Sequence, residues 1–77
     1  TDENLIVAFK DDSDYDVRKV VVDKLTNEQL VFDNFKNDPE WTVRKTVVNK
    51  LTDENLIVAF KDDSNYNVRK LVQSKLS

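Results

Sequence analysis

The chain has 77 residues, of which 35% are charged and 39% are hydrophobic, and its formal net charge is −3. Cysteine and histidine are both absent, which excludes disulfides and any thiol or imidazole chemistry. Glycine is absent and proline occurs once, so glycine-rich phosphate loops are excluded and strand-and-turn folds are disfavoured.

The same sequence pattern occurs three times, in repeat 1 (1–25), repeat 2 (26–51) and repeat 3 (52–76). Each repeat has an apolar run, an acidic turn, the sequence Val-Arg-Lys and a Lys-Leu ending. Residues 1–19 and 52–70 differ only at Asp14/Asn65 and Asp16/Asn67. Because repeats of about 20–50 residues stack to share one core, we predict a single domain over residues 1–77, built from three two-helix units.

The first helix of each repeat is predicted from an apolar run that follows a threonine and acidic residues. In repeat 1, Thr1 precedes the run 5–9, and threonine is a good N-cap. In repeat 2, Thr26 and Gln29 fit a capping box. Repeat 2 has one extra residue before Phe35, so we expect a bulge or a looser first turn at the start of its first helix.

The second helix of each repeat is predicted to begin at an aspartate. Proline after Asp38 supports this start, because proline is favoured at the first helical position. The predicted N-caps are Asp12, Asp38 and Asp63. Each helix should then end with a lysine, which suits the negative end of the helix dipole. The predicted last residues are Lys24, Lys50 and Lys75.

Apolar residues spaced i, i+3, i+4 and i+8 predict the buried face of each second helix. The predicted core is Val17, Val20, Val21 and Leu25, with Val43, Thr46, Val47 and Leu51, and with Val68, Leu71, Val72 and Leu76. A helical wheel predicts that other residues of the second helices, including Val22, face away from this core. Stacking of the repeats would align these outward-facing residues into a stripe. We predict that a protein or peptide partner binds this stripe, which contains Tyr15, Lys19, Trp41, Lys45, Val48, Asn49, Tyr66, Lys70 and Gln73. The alternative is that each aromatic ring packs over the turn of its own repeat.

The order Val17-Arg18, Leu25-Thr26, Glu28 and Leu30, repeated from Val43-Arg44, resembles the leucine-rich variant (LRV) repeat. An arginine six residues after an aspartate resembles short bacterial HEAT repeats. The pairs are Asp12/Arg18, Asp38/Arg44 and Asp63/Arg69. These resemblances imply an all-α, right-handed α-solenoid of three two-helix repeats, in which one helix per repeat is sometimes 3₁₀. They also imply a structural ladder in which each aspartate caps its helix and each arginine braces neighbouring repeats.

The function predicted from these features is non-catalytic, either a scaffold or a protein-interaction module. Enzyme activity, a cofactor and a metal are not expected. Asp12, Asp14 and Asp16 resemble the start of a calcium-binding loop, but Val17 stands where that loop needs glycine. The alternative function is nucleic-acid binding by a stripe of Arg-Lys pairs, against which the acidic net charge argues. Those pairs are Arg18-Lys19, Arg44-Lys45 and Arg69-Lys70.

The outer repeats keep the internal pattern, so we expect partly apolar end faces. This predicts either a piece of a longer array or end-to-end self-association. No apolar run approaches the length of about 20 residues that spans a bilayer, so no membrane contact is predicted. The sequence indicates no particular cellular location.

Overall fold

A computed structural model describes residues 3–77, and over this range the chain is all-helical, with no strand. The α-helices are α1 (Glu3–Val7), α2 (Tyr15–Lys24), α3 (Glu28–Phe35), α4 (Trp41–Lys50), α5 (Glu54–Ile57) and α6 (Tyr66–Leu76). A 3₁₀ turn, Val58–Phe60, directly continues α5. The predicted all-α class is confirmed, with two helical segments in each repeat.

The three second helices pack side by side in chain order. Helix α4 lies between α2 and α6, and each second helix also contacts the first helix of its own repeat. Phe32 of α3 meets Phe60 edge to face, with ring centroids 5.9 Å apart. The Cα positions extend over 34 × 23 × 14 Å. None of the helices in residues 3–77 has the length and apolar character needed to cross a membrane.

The second helices begin later than predicted. Their N-caps are Asp14, Glu40 and Asn65, and each cap side chain accepts the backbone N–H two residues further on. The predicted caps form an earlier turn instead, as in repeat 2, where Asp38 Oδ1 accepts the Glu40 N–H at 2.9 Å. Pro39 lies in this turn, so its predicted place as the first helical residue is wrong. The same correction applies to Asp12 and Asp63.

The predicted threonine caps of the first helices are also wrong where the structure describes them. Asn27 caps α3 and Asp53 caps α5, one residue after each threonine. No capping box forms, because the Gln29 side chain donates to Asp33 Oδ1 at 2.9 Å. The predicted cap Thr1 lies outside the described residues.

The extra residue of repeat 2 gives a regular helix, and the shorter repeat 3 makes the adjustment. Helix α3 is α-helical from Glu28 to Phe35, whereas the equivalent segment from Glu54 to Phe60 ends in the 3₁₀ turn. Seven α-helical steps rise about 10.5 Å, and three α-helical plus three 3₁₀ steps also rise about 10.5 Å. Both phenylalanines therefore reach the core, with 0% and 4% of their surface exposed. The predicted irregular start of repeat 2 is wrong.

The predicted core is right along the centre of the second helices and wrong at their edges. Val17 is 37% exposed and Val20 is 50% exposed, whereas Val43, the equivalent of Val17, is fully buried. Val22 and Val48, predicted to face outward, are fully buried. Helix α4 is covered on three sides, by α3, α2 and α6, and α2 is covered on two, by α1 and α4. A wheel drawn for one helix shows only one of these sides.

Position in the stack therefore decides how much a given valine contributes to stability. We expect Val43→Ala to lower the free energy of unfolding by about 1–3 kcal/mol, because it removes two fully buried methyl groups. Val17→Ala makes the same change at the equivalent, half-covered position and should cost less than half as much. Urea unfolding followed by circular dichroism measures both losses. Equal losses would contradict the stacked arrangement.

Candidate partner-binding surface

Arginine side chains join the turns of successive repeats. Arg18 Nε donates to Asp38 Oδ2 at 2.8 Å, and its Nη2 donates to Asp38 Oδ1 at 3.1 Å. Arg44 makes the same two-point contact with Asp63, at 2.8 and 3.1 Å. The remaining Nη1 of Arg18 donates to the Asp12 carbonyl at 2.6 Å. One guanidinium therefore ties the turn of its own repeat to the turn of the next repeat.

The carboxylate that each arginine binds therefore lies 19 or 20 residues later in the sequence. It does not belong to the aspartate six residues earlier. The aspartate six residues before supplies only its backbone carbonyl. The hydrogen bond with Asp38 raises the pKa of Arg18, although burial opposes this. Burial acts to raise the pKa of Asp63, but hydrogen bonds from Arg44 and from the Asn65 amide, with the Arg44 charge, lower it overall.

A glutamate makes a second contact between repeats. The Glu28 carboxylate accepts the Thr52 N–H at 2.8 Å, the Asp53 N–H at 3.1 Å and the Thr52 hydroxyl. The hydroxyl of Thr52 is therefore occupied by the preceding repeat and does not cap its own helix. These hydrogen bonds, those of Thr52 first, lower the pKa of Glu28, and the charge of Lys75 adds to this.

A lysine makes the third contact, with the C-terminal end of the preceding second helix. Lys75 Nζ donates to the carbonyls of Val48, Asn49 and Leu51, at 2.8, 2.7 and 2.6 Å. Lys50 Nζ donates to the Asp23 carbonyl at 3.0 Å. Each lysine thus complements the dipole of the neighbouring helix more directly than that of its own. Burial lowers the pKa of Lys75, and the charge of Glu28 opposes this.

The second helices enclose a shallow groove of about 480 Å³ on the side of the stack. Its lining is Lys19, Asp23, Trp41, Thr42, Lys45, Thr46, Asn49 and Leu71. Four of these belong to the predicted stripe: Lys19, Trp41, Lys45 and Asn49. Trp41, the only tryptophan, is half-buried and packs against the core with part of its ring system left to solvent. The lining carries two lysines and one aspartate, on a chain whose net charge is negative.

The other stripe residues divide between neighbouring positions and the core. Tyr15 is 44% exposed, and Lys19 Nζ lies 5.7 Å from its ring centroid. A separate hollow of about 200 Å³ is lined by Tyr66, Arg69, Lys70 and Gln73. Val48 is fully buried, so its predicted place on the stripe is wrong. The wheel also turned Asp23 outward, which is right. It missed Thr42 and placed Thr46 and Leu71 in the core, because a groove between helices includes residues from the flanks of each.

Two other predicted surfaces are changed by these contacts. Arg18 and Arg44 were predicted to belong to an exposed basic stripe, but their side chains are only 11% and 12% exposed, because both are held in ion pairs. In the acidic segment, Asp14 Oδ1 accepts the Asp16 N–H at 2.9 Å as the cap of α2. Over the described part of the chain, no group of three or more acidic side chains is arranged to hold a metal ion.

Comparison of the chain with protein-family models, with curated proteins and with solved structures gives no match. The candidate surface is therefore judged by its geometry, burial and charge.

The ion pair of Arg44 should carry much of the attachment between repeats 2 and 3. Arg44→Met removes both hydrogen bonds to the Asp63 carboxylate and leaves that carboxylate, 7% exposed, without its counter-charge. We expect it to lower the free energy of unfolding by about 3 kcal/mol. Arg69→Met is the matched control, because Arg69 bonds the Asp63 carbonyl at 2.6 Å just as Arg44 bonds the Asp38 carbonyl at 2.7 Å. A loss from Arg69→Met as large as that from Arg44→Met would contradict the contact's role.

Acid should weaken the same attachments. Asp63 and Glu28 have folded-state pKa values below their usual values of 3.8 and 4.5, so folding favours the ionised carboxylates. Their contribution is present above these usual values and is lost as pH falls through the folded-state values. We expect the free energy of unfolding to fall below about pH 4.5. Asp63→Asn and Glu28→Gln should flatten this decline, measured by urea unfolding over a pH series.

Asp62→Asn is the control for the acid experiment. Asp62 is exposed and takes part in none of the three contacts between repeats. An acid decline that Asp62→Asn flattens as much as Asp63→Asn would assign the effect to general charge repulsion.

Proposed function

We propose that this chain is a non-catalytic protein-interaction or scaffold module, which binds an acidic peptide segment of a partner protein in the groove along its second helices. In this proposal the chain is a right-handed α-solenoid of three repeats, similar to leucine-rich variant and HEAT-like repeats. The observation that carries the proposal is the position of Trp41 in the groove, with Lys19 and Lys45 beside it.

Trp41 is suited to anchor a partner. A tryptophan offers a large contact area with few rotatable bonds, and such residues dominate the binding energy of many interfaces. Trp41 lies at the first residue of α4, the helix that packs between α2 and α6. Because the three kinds of contact between repeats hold these helices together, the groove exists before a partner arrives, which lowers the ordering cost of binding.

The charges of the groove favour an acidic partner. Lys19 and Lys45 line it, and Lys70 lies exposed on α6 in the neighbouring hollow. Asp23 is the one acidic residue in the groove lining. Lys19 Nζ lies 3.5 Å from Asp16 Oδ1, so Lys45 and Lys70 supply most of the positive charge that this face offers to a partner. Such a surface speeds the encounter with an acidic segment and makes binding sensitive to salt.

Nucleic-acid binding, the alternative, has less support. Binding along a phosphate backbone needs several exposed cations, and Arg18 and Arg44 are held in buried or half-buried ion pairs. The exposed lysines alone form a shorter basic surface next to Asp23 and the acidic turns. A peptide with an apolar anchor fits the groove better, because Trp41 and Leu71 give the lining apolar contact area.

The single tryptophan makes the test direct, because fluorescence excited at the red edge of the absorption band, where tyrosine does not absorb, reports only on Trp41. The probe is a short synthetic peptide with a central leucine flanked by glutamates, and its twin has lysines in place of the glutamates. We expect the acidic peptide to shift and quench the Trp41 emission in a saturable way. The lysine twin should leave the emission unchanged at the same concentrations.

Two charge reversals at lysine make a matched pair for this titration. Lys45→Glu reverses a charge in the groove, and Lys61→Glu makes the same change at an exposed residue outside it. We expect the dissociation constant for the acidic peptide to rise about tenfold for Lys45→Glu, which corresponds to about 1.4 kcal/mol, and to stay near the wild-type value for Lys61→Glu. Equal effects of the two reversals, or equal binding of both peptides, would contradict the proposal.

A further inference from the structure

The two ends of the helical stack carry the two halves of the arginine–aspartate contact. At the end formed by repeat 3, Arg69 Nη1 donates to the Asp63 carbonyl at 2.6 Å, as Arg18 Nη1 does to the Asp12 carbonyl at 2.6 Å. Arg18 then uses its Nε and Nη2 on the next repeat's carboxylate. Among the described side chains, no carboxylate accepts a hydrogen bond from Nε or Nη2 of Arg69, which acts on Asp63 only through its charge and the carbonyl contact. The guanidinium is held in place on one side and is half-exposed.

The opposite end presents the matching carboxylate. Asp12 Oδ1 accepts the Asp14 N–H at 2.9 Å, and Asp63 Oδ1 accepts the Asn65 N–H at the same distance. The Asp63 carboxylate also accepts two hydrogen bonds from Arg44, whereas the Asp12 carboxylate accepts none from an arginine among the described side chains. Both halves of the contact are therefore preformed by the same local hydrogen bonds that form it inside the stack.

Apolar side chains accompany these charges at both ends. Phe9 is 57% exposed and Val17 is 37% exposed, although their equivalents in repeat 2, Phe35 and Val43, are fully buried. At the other end Leu76 is 36% exposed. The end of repeat 1 thus exposes apolar surface at positions that a preceding repeat covers elsewhere in the stack.

The donor and the acceptors of the lysine contact also lie at opposite ends of the stack. Lys24 is exposed on repeat 1, at the position where Lys50 and Lys75 donate to carbonyls of the preceding second helix. The C-terminal end of α6 carries the corresponding carbonyls, and that of Ser74 accepts the Ser77 hydroxyl at 2.9 Å. The end of repeat 1 has nearly the same sequence as the part of repeat 3 that receives repeat 2, because residues 1–19 and 52–70 are nearly identical.

We propose that two molecules of this chain associate head to tail, with repeat 3 of one molecule docked on repeat 1 of a second molecule. Arg69 of the first molecule binds the Asp12 carboxylate of the second by two hydrogen bonds. Lys24 of the second molecule donates to the terminal carbonyls of α6 in the first. Phe9 and Val17 are covered at this junction, as Phe35 and Val43 are covered inside the stack. The contact uses different surfaces on the two molecules, so it propagates into linear assemblies.

One residue weakens this junction relative to the internal ones. Gln73 stands where Val22 and Val48 are fully buried by the following repeat, and it is exposed. Docking of a second molecule would bury the Gln73 amide where the internal junctions bury the two methyl groups of a valine. Burial of this polar group disfavours association. The assembly should therefore depend on concentration, and Gln73→Val should tighten it by about tenfold.

A charge exchange tests the proposal, with molar mass followed by sedimentation velocity over a concentration series. In Asp12→Arg two arginines face each other at the junction, and in Arg69→Asp two aspartates do, so each variant alone should stay monomeric. An equimolar mixture restores an Arg–Asp pair at both kinds of junction, and it should associate to the extent that wild type does. Circular dichroism establishes that each variant is folded.

Milder substitutions cover the case in which a charge reversal disturbs the fold. Asp12→Asn and Arg69→Met remove the charge without reversing it, and each should weaken association about tenfold or more relative to wild type. The proposal is overturned if the mixture of reversed variants stays monomeric while both are folded. It is equally overturned if wild type and Gln73→Val both remain monomeric at every concentration reached, or if the neutral variants associate like wild type.

Discussion

The two-point hydrogen bond from the arginine of one repeat to the aspartate of the next is the contact on which the arrangement of this chain depends. Arg44 uses Nη1 to hold the turn of its own repeat and Nε with Nη2 to hold Asp63, so one planar group relates two turns. The pair is largely withdrawn from water. A stack shifted out of register would leave two mostly buried charges without partners, which is far less stable than the paired state. The glutamate and lysine contacts then bind the same two repeats at their other ends.

The periodic part of the sequence was enough to predict an all-α chain, the two helical segments of each repeat and the ends of α2 and α4 at Lys24 and Lys50. The helix starts were not predictable, because the acidic turns hold several side chains that cap equally well. In repeat 1, Asp12 and Asp14 both accept an amide two residues on, so the local pattern alone does not distinguish the cap of α2 from the earlier turn. Val22 was misplaced for a related reason, because burial at a repeat junction has no periodicity within one helix.

The candidate site was predictable in part. The outward face of a single helix identified Lys45 and Asn49 together with Trp41, and the structure brings them to one groove. Thr42 and Leu71 join that groove because α4 and α6 pack side by side, which no single-helix pattern contains. The proposed peptide groove lies on the side of the stack and the proposed self-association uses its ends. None of the residues that line the groove is named in the proposed junction, whereas the neighbouring hollow that holds Lys70 is also lined by Arg69 and Gln73.

A double-mutant cycle on Arg44 tests the central contact most directly, with the free energy of unfolding measured by urea for each variant. The first cycle combines Arg44→Met with Asp63→Asn, in the next repeat, and the second combines Arg44→Met with Asp38→Asn, in the same repeat. The account predicts a coupling energy of about 1.5–3 kcal/mol for Arg44 with Asp63 and less than half of that with Asp38, whose carboxylate binds Arg18. A larger coupling within the repeat than between repeats would contradict it.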